Sequence, residues 1–213
     1  DRTNRAFMAS WQVASQGLGV MLGAAVSSAV ISMLDKPDLE SWGWRVPFVL
    51  GMLIAPIGLY IRTRLHETHI DAEAANARGR SGTKIGILLR DHWRELIKAS
   101  LLFLSCTVGI YVVAFYMPTF AAKELKLPLQ VGIWAGVVFG AINFVVAPLA
   151  GMLADKVRRK PVIFWSRVML VLLVFPCFLW LLDAPSPTRL YVMVGLLSIF
   201  LTSQFPALLV MLT

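Results

Sequence analysis

Acidic side chains are scarce in this sequence, and none of its 12 Asp and Glu residues lies inside any of its long apolar stretches. Catalytic constellations are missing as well: there is no nucleophile elbow, no phosphate-binding glycine loop and no cluster of His, Asp and Glu. Cysteine is limited to Cys106 and Cys177, both within apolar stretches, so a disulfide is not implied and no redox compartment follows. His66 and His69 stand three apart but lack the spacing of a zinc-protease motif and a third ligand, so the sequence offers no metal site. The apolar stretches also lack the alternating pattern of barrel strands and are about twice too long for them.

What is present is hydrocarbon. Hydrophobic residues make up 58% of the 213 positions and charged ones 15%, which is too apolar for a soluble domain of this size. Six runs approach the ~20 residues that a bilayer core requires. They cover approximately Trp11–Leu34, Val46–Ile61, Ala99–Ala122, Val131–Ala154, Val162–Leu182 and Leu190–Thr213. The second is short, and Arg45 and Arg62 at its ends are expected to snorkel to the interfaces. All seven tryptophans fall near run ends, as an aromatic belt demands.

Basic residues fix the orientation. One side collects Arg2, Arg5, the many cations between Arg62 and Lys98, and Lys156, Arg158, Arg159 and Lys160; the other holds only Lys36, Arg45, Lys123, Lys126 and Arg189. The N-terminal residue and the loops 62–98 and 155–161 are therefore expected to be cytoplasmic. Arg167 lies within the fifth run and is expected to snorkel to its cytoplasmic end. A net charge of +8 spread over separate loops reads as topology and contact with anionic lipid, with no nucleic-acid partner.

The long loop from Arg62 to Lys98 divides the runs two and four. Its middle, Ala72 to Gly82, reads as a flexible linker, and Ile85, Leu88, Leu89, Trp93 and Leu96 then recur at helical spacing in an amphipathic segment. The expected boundaries are 1–65, a linker at 66–98, and 99–213. Gly19 and Gly23 in the first run, with Gly132, Gly136 and Gly140 in the fourth, suit close helix packing, so these two helices are expected to be buried. The bulky second and fifth runs are expected to face lipid. The third and sixth carry polar side chains, among them Ser105, Thr107, Tyr111, Tyr116, Ser198, Thr202, Ser203 and Gln204, and are expected to line an aqueous path. Tyr111, Tyr116, Asn143 and Gln204 are the candidate substrate contacts, because each offers a hydrogen bond from an apolar wall. Asp1 follows no cleavable signal and Thr213 ends an apolar helix without a charged flank, so both ends are expected to be cuts.

Between the fourth and fifth runs stands Gly151-Met152-Leu153-Ala154-Asp155-Lys156-Val157-Arg158-Arg159-Lys160. This turn resembles the signature loop of the major facilitator superfamily, with Gly151, Asp155 and Arg159 in register and Arg158 where glycine is usual. Physically, Asp155 at a helix end among cations is suited to pair with one of them or with a neighbouring helix N-terminus, which would latch one side of a carrier. Arg5-Ala6-Phe7-Met8-Ala9-Ser10-Trp11-Gln12 and Trp42-Gly43-Trp44-Arg45-Val46-Pro47-Phe48 are similar to the metabolite:proton symporter subfamily, which includes carriers of citrate, 2-oxoglutarate, shikimate and proline or betaine. The resemblance implies an all-α membrane protein of the bacterial inner membrane, holding helices five to ten of a twelve-helix fold. It also implies alternating access and symport of a small metabolite with protons as the coupling ion, without a cofactor or enzymatic activity. An organic acid is favoured over an osmolyte by Ser10 to Gln16. An integral-membrane enzyme and a channel subunit are the readings from other classes. The proton-carrying carboxylate would lie in the helices preceding this chain, which would be partners of the six seen here.

Overall fold

A computed structural model describes residues 4–64, 92–157 and 159–212. Among them there are helices and turns without a strand, and six spans are long and apolar enough to cross a membrane. In hydrocarbon no water is at hand for the peptide groups, so a backbone that bonds within itself is the stable form. The helices are α1 (Arg5–Met33), α2 (Lys36–Ser41), α3 (Val46–Met52), α4 (Ile54–Arg64), α5 (Trp93–Ile110), α6 (Met117–Lys123), α7 (Leu129–Lys156), α8 (Arg159–Asp183), α9 (Pro187–Ser203) and α10 (Phe205–Leu212). The expected amphipathic segment lies outside the described residues up to position 91, as do His66 and His69. Helix α5 begins at Trp93, ahead of the expected start of the third span.

Proline accounts for each interruption. Pro56 has no N–H for the Met52 carbonyl, and the second span is broken there into α3 and α4, with Leu53 bonding back to Leu50 instead. Pro118 cannot serve Ala114, and the preceding turn, Tyr111–Phe115, widens to a π-helix closed by the Tyr116 amide on the Tyr111 carbonyl at 2.8 Å. Pro206 leaves Thr202 without its i+4 donor, and the sixth span breaks at Gln204 into α9 and α10.

The chain divides into two compact units. In the smaller, Trp44–Ser105, Arg45 lies over the Trp44 ring and Phe48 meets that ring edge-on. Its bulky side chains point outward, Phe48 at 70% and Met52 at 74% exposure, as a lipid-facing surface requires.

The larger unit joins the segment ending at Gly43 to the segment beginning at Cys106. Its apolar core includes Met117, Phe139, Leu181, Met193, Leu197 and Leu201, drawn from α6, α7, α8 and α9. Lipid is as apolar as these side chains, so cohesion rests on packing rather than on escape from water. Small residues therefore govern the approach of α1 to α7. A Cβ on Gly140 would stand 2.5 Å from the Gly17 carbonyl oxygen, and one on Gly136 would stand 3.3 Å from the Ala24 methyl. Gly132 backs onto the Pro118 backbone, where a Cβ would come within 2.5 Å.

Two expectations change here. Gly17, rather than Gly19 or Gly23, is the glycine at the crossing, and the latter two have open space where a Cβ would go. The reason is register: residues at Gly19 and Gly23 face away from α7. The sixth span, expected to line water, is the most enclosed of the six, while α1 is covered mainly along the stripe that meets α7. On α8, Val171, Leu172 and Phe175 are turned outward, at 62% exposure or more.

Opposite signs are expected for two alanine substitutions in α1. Gly19→Ala should raise the thermal stability of the detergent-solubilised chain by about 0.5–1 kcal/mol through helix propensity. Gly17→Ala should lower it by about 1–3 kcal/mol, because its Cβ would meet the Gly140 oxygen at 2.9 Å. Equal effects would show that the crossing is not set there.

Candidate functional site

The turn between α7 and α8 grips two other helix ends. Gly151 lets the start of α1 come close, since a Cβ there would stand 2.8 Å from the Ala6 carbonyl oxygen and 2.9 Å from the Phe7 Cα. One turn further on, Asp155 reaches the opening amides of α1: Oδ1 accepts from the Ala6 N–H at 3.0 Å and Oδ2 from the Phe7 N–H at 2.9 Å. The first amides of a helix have no internal partner and carry partial positive charge, and Asn4 at the N-cap makes no side-chain cap bond. Asp155 fills that role from a distant part of the chain. At the other pole, Arg159 sends Nη1 to the Val210 carbonyl in α10, at the long limit of 3.5 Å. An anion thus sits on a helix N-terminus and a cation beside carbonyls near a C-terminus, as the dipoles favour. Arg158 lies outside the described residues.

Deeper in the larger unit, polar groups join helices in pairs. Asn143, 7% exposed, donates from Nδ2 to the Phe139 carbonyl at 2.9 Å and accepts from the Thr202 hydroxyl at 2.8 Å, which ties α7 to α9. Its Cβ also lies 2.6 Å from where a Gly17 Cβ would be, so it stands at the crossing of α1 and α7. Gln204, in the break before Pro206, accepts at Oε1 from the Arg167 Nε–H at 2.9 Å. A second arm of Arg167, Nη2, donates to the Cys106 sulfur at 2.9 Å.

Arg167 corrects an expectation, for its guanidinium turns inward to Gln204 and Cys106 instead of only snorkelling to the interface. Eight residues into α8, about 12 Å from the start of that helix, it finds acceptors on neighbouring spans. A charge in hydrocarbon is costly unless so engaged. The signal was available in the sequence: Arg167 is the one charged residue within the six apolar runs. Its partner Cys106 carries no such flag.

Tyr111 and Tyr116 occupy a different place. Both are exposed, and with Thr107, Val108, Val112 and Phe115 they line an open concavity of about 490 Å³. The four candidate contacts therefore fall into two sets, an exposed pair of phenols and two buried amides bonded to neighbouring helices. Ser198 and Ser203 donate to the Val194 and Ile199 carbonyls of their own helix, a use common for hydroxyls in membrane helices. Among the described residues no group of three or more His, Cys, Asp or Glu is placed to hold a metal ion.

Comparison with known proteins agrees with this architecture. Residues 1–213 match the family described as Major Facilitator Superfamily. The citrate-proton symporter of Salmonella typhi is 28% identical over 188 residues, which cover 88% of this chain and 43% of that protein. The proline/betaine transporter of Escherichia coli K12 is 29% identical over 184 residues, covering 82% of this chain and 37% of that protein. This chain thus spans about two fifths of the length of the curated relatives it matches. No solved structure matches it.

Removing the carboxylate of Asp155 with Asp155→Ala should lower thermal stability by about 1.5–3 kcal/mol, the worth of a hydrogen bond to a charged group. Asp155→Asn, which keeps one acceptor oxygen, should lose less. A melting temperature unmoved by either substitution would make the clamp idle. For the deeper pair, a double-mutant cycle of Arg167→Met with Gln204→Met should show coupling of about 1 kcal/mol, and simple additivity would contradict the pairing.

Proposed function

The chain belongs to the major facilitator superfamily, and from that premise we propose that it supplies six spans of a secondary active carrier that moves a small metabolite together with protons. The observation that carries this reading is the clamp at the α7–α8 turn, where Asp155 holds the start of α1 through two amides. Alternating access needs one face of a carrier to close and reopen around a midplane site. Helix-end contacts of this kind suit such a cycle, since each is worth only a few kcal/mol and breaks as a unit when two helices part. With the basic residues as guide, the clamp lies on the cytoplasmic face of a bacterial inner membrane.

Relatives of this chain are transporters and not enzymes. Their names divide between citrate and proline or betaine. An organic acid is our preferred substrate class, supported by the sequence at Ser10 to Gln16 and by the Salmonella typhi relative; a betaine-type osmolyte is the second reading, favoured by the other relative. None of the six apolar runs contains Asp or Glu, and Asp155 stands at the end of α7, so the proton would travel on a carboxylate of other helices in a longer chain.

Uptake by the longer carrier in proteoliposomes decides between these. An inward proton gradient should drive accumulation of a tri- or dicarboxylate at least tenfold above a proline or betaine control, and collapse of the gradient by a protonophore should abolish it. Accumulation of betaine alone would transfer the assignment to the osmolyte class, and uptake indifferent to the gradient would overturn symport. Vesicles holding only residues 1–213 should accumulate neither.

A further inference from the structure

A groove of about 350 Å³ runs between α7, α8 and α9, with Leu153, Val157, Trp165, Met169 and Phe200 in its walls. Its lining is apolar except for the hydroxyls of Ser166 and Ser203, and the Ser203 hydroxyl is already spent on the Ile199 carbonyl. Trp165 and Leu153 are 58% and 50% exposed, so the groove opens outward and does not belong to the packed core. Surrounded by lipid, a slot of this composition accepts a hydrocarbon chain in preference to any polar ligand.

Charge at one end of the groove narrows the choice. Leu153, Val157 and Pro161 place that end beside the α7–α8 turn. Lys156 is three residues from Leu153 and so shares its side of α7, while Lys160 immediately precedes Pro161. Both lysines are exposed, and among the described residues neither makes a salt bridge. The acid of this turn, Asp155, has both oxygens on the amides of α1, and Arg159 reaches the Val210 carbonyl. Two cations are thus left at the mouth of an apolar slot, with Trp165 in its wall on the first turns of α8.

We propose that this groove holds an acyl chain of an anionic phospholipid whose phosphate rests against Lys156 and Lys160. The occupant is a lipid rather than a free anion because the walls bind the chain and the lysines select the headgroup. Attraction of an anionic lipid to each lysine at a membrane surface corresponds to roughly fivefold in occupancy. The inference depends on the bilayer setting alone and stands whichever metabolite is carried.

Bromine on an acyl chain quenches a tryptophan that it touches, which gives a direct readout. The longer carrier would be placed in phosphatidylcholine nanodiscs containing dibrominated phosphatidylglycerol or, at equal fraction, dibrominated phosphatidylcholine. Subtracting the signal of Trp165→Phe isolates Trp165. The anionic lipid should quench Trp165 at a concentration at least about fivefold lower than the zwitterionic one. High salt should reduce that preference in the unaltered protein, the double substitution Lys156→Gln with Lys160→Gln should remove it, and Lys156→Arg with Lys160→Arg should keep it. Equal quenching by the two lipids, or a preference that survives both salt and the glutamine pair, overturns the proposal. Absence of any Trp165 quenching would show protein covering the groove and would overturn it equally.

Discussion

Every helix leaves several amides unsatisfied at its start and several carbonyls at its end, and in a bilayer those groups have little water to turn to. The larger unit answers with side chains from elsewhere in the chain. Asp155 serves the first amides of α1, Arg159 a carbonyl of α10, and Arg189 the Trp180 carbonyl near the end of α8 at 2.9 Å. Ser186 caps α9 by accepting from the Arg189 amide, with Pro187 following at a position that needs no donor. Because the clamps at the α7–α8 turn are distant in sequence, helix termination and helix arrangement are one problem here. A carrier that must part its helices has reason to hold them by their ends, where few bonds need to break, instead of along their whole lengths.

Between those ends, contact depends on the absence of side chains. Gly17, Gly140 and Gly151 bring two backbones to distances at which a methyl group would collide with a carbonyl oxygen. Such contacts gain from close packing and add no polar group to the hydrocarbon. Asn143 is the exception at this seam, and both ends of its amide are occupied. Its position lets one residue touch α1 through its stem and α9 through its oxygen, so a shift of α1 over α7 would be felt at Thr202.

How much of this could be read beforehand differs by kind of feature. Spans were legible because twenty uncharged residues have few other uses, whereas a carboxylate at a helix end among cations left two partners open for Asp155, a cation or a helix N-terminus, and it is the amides of α1 that it meets. Which glycine makes contact was not legible: Gly17, Gly19 and Gly23 all suit a small-residue stripe, and only the rotation of α1 against α7 selects among them. Arg167 was visible as the lone charge within the runs, but its partners come from two other helices, and pairing across spans leaves no trace in local spacing. Burial of Gln204 escaped for the same reason, since a polar residue in a membrane helix reads alike whether it faces water or a guanidinium.

The widened turn at Tyr111–Phe115 has an angular consequence. In a regular α-helix, successive residues are rotated by about 100°, so two positions five apart point some 140° away from each other. Closing the ring from Tyr116 back to Tyr111 instead stacks those positions nearly one above the other. That is why both phenols border the same hollow. Loss of the surplus residue, or substitution of Pro118 by a residue able to restore regular winding, would swing one ring off that side of the rod while leaving its chemistry untouched.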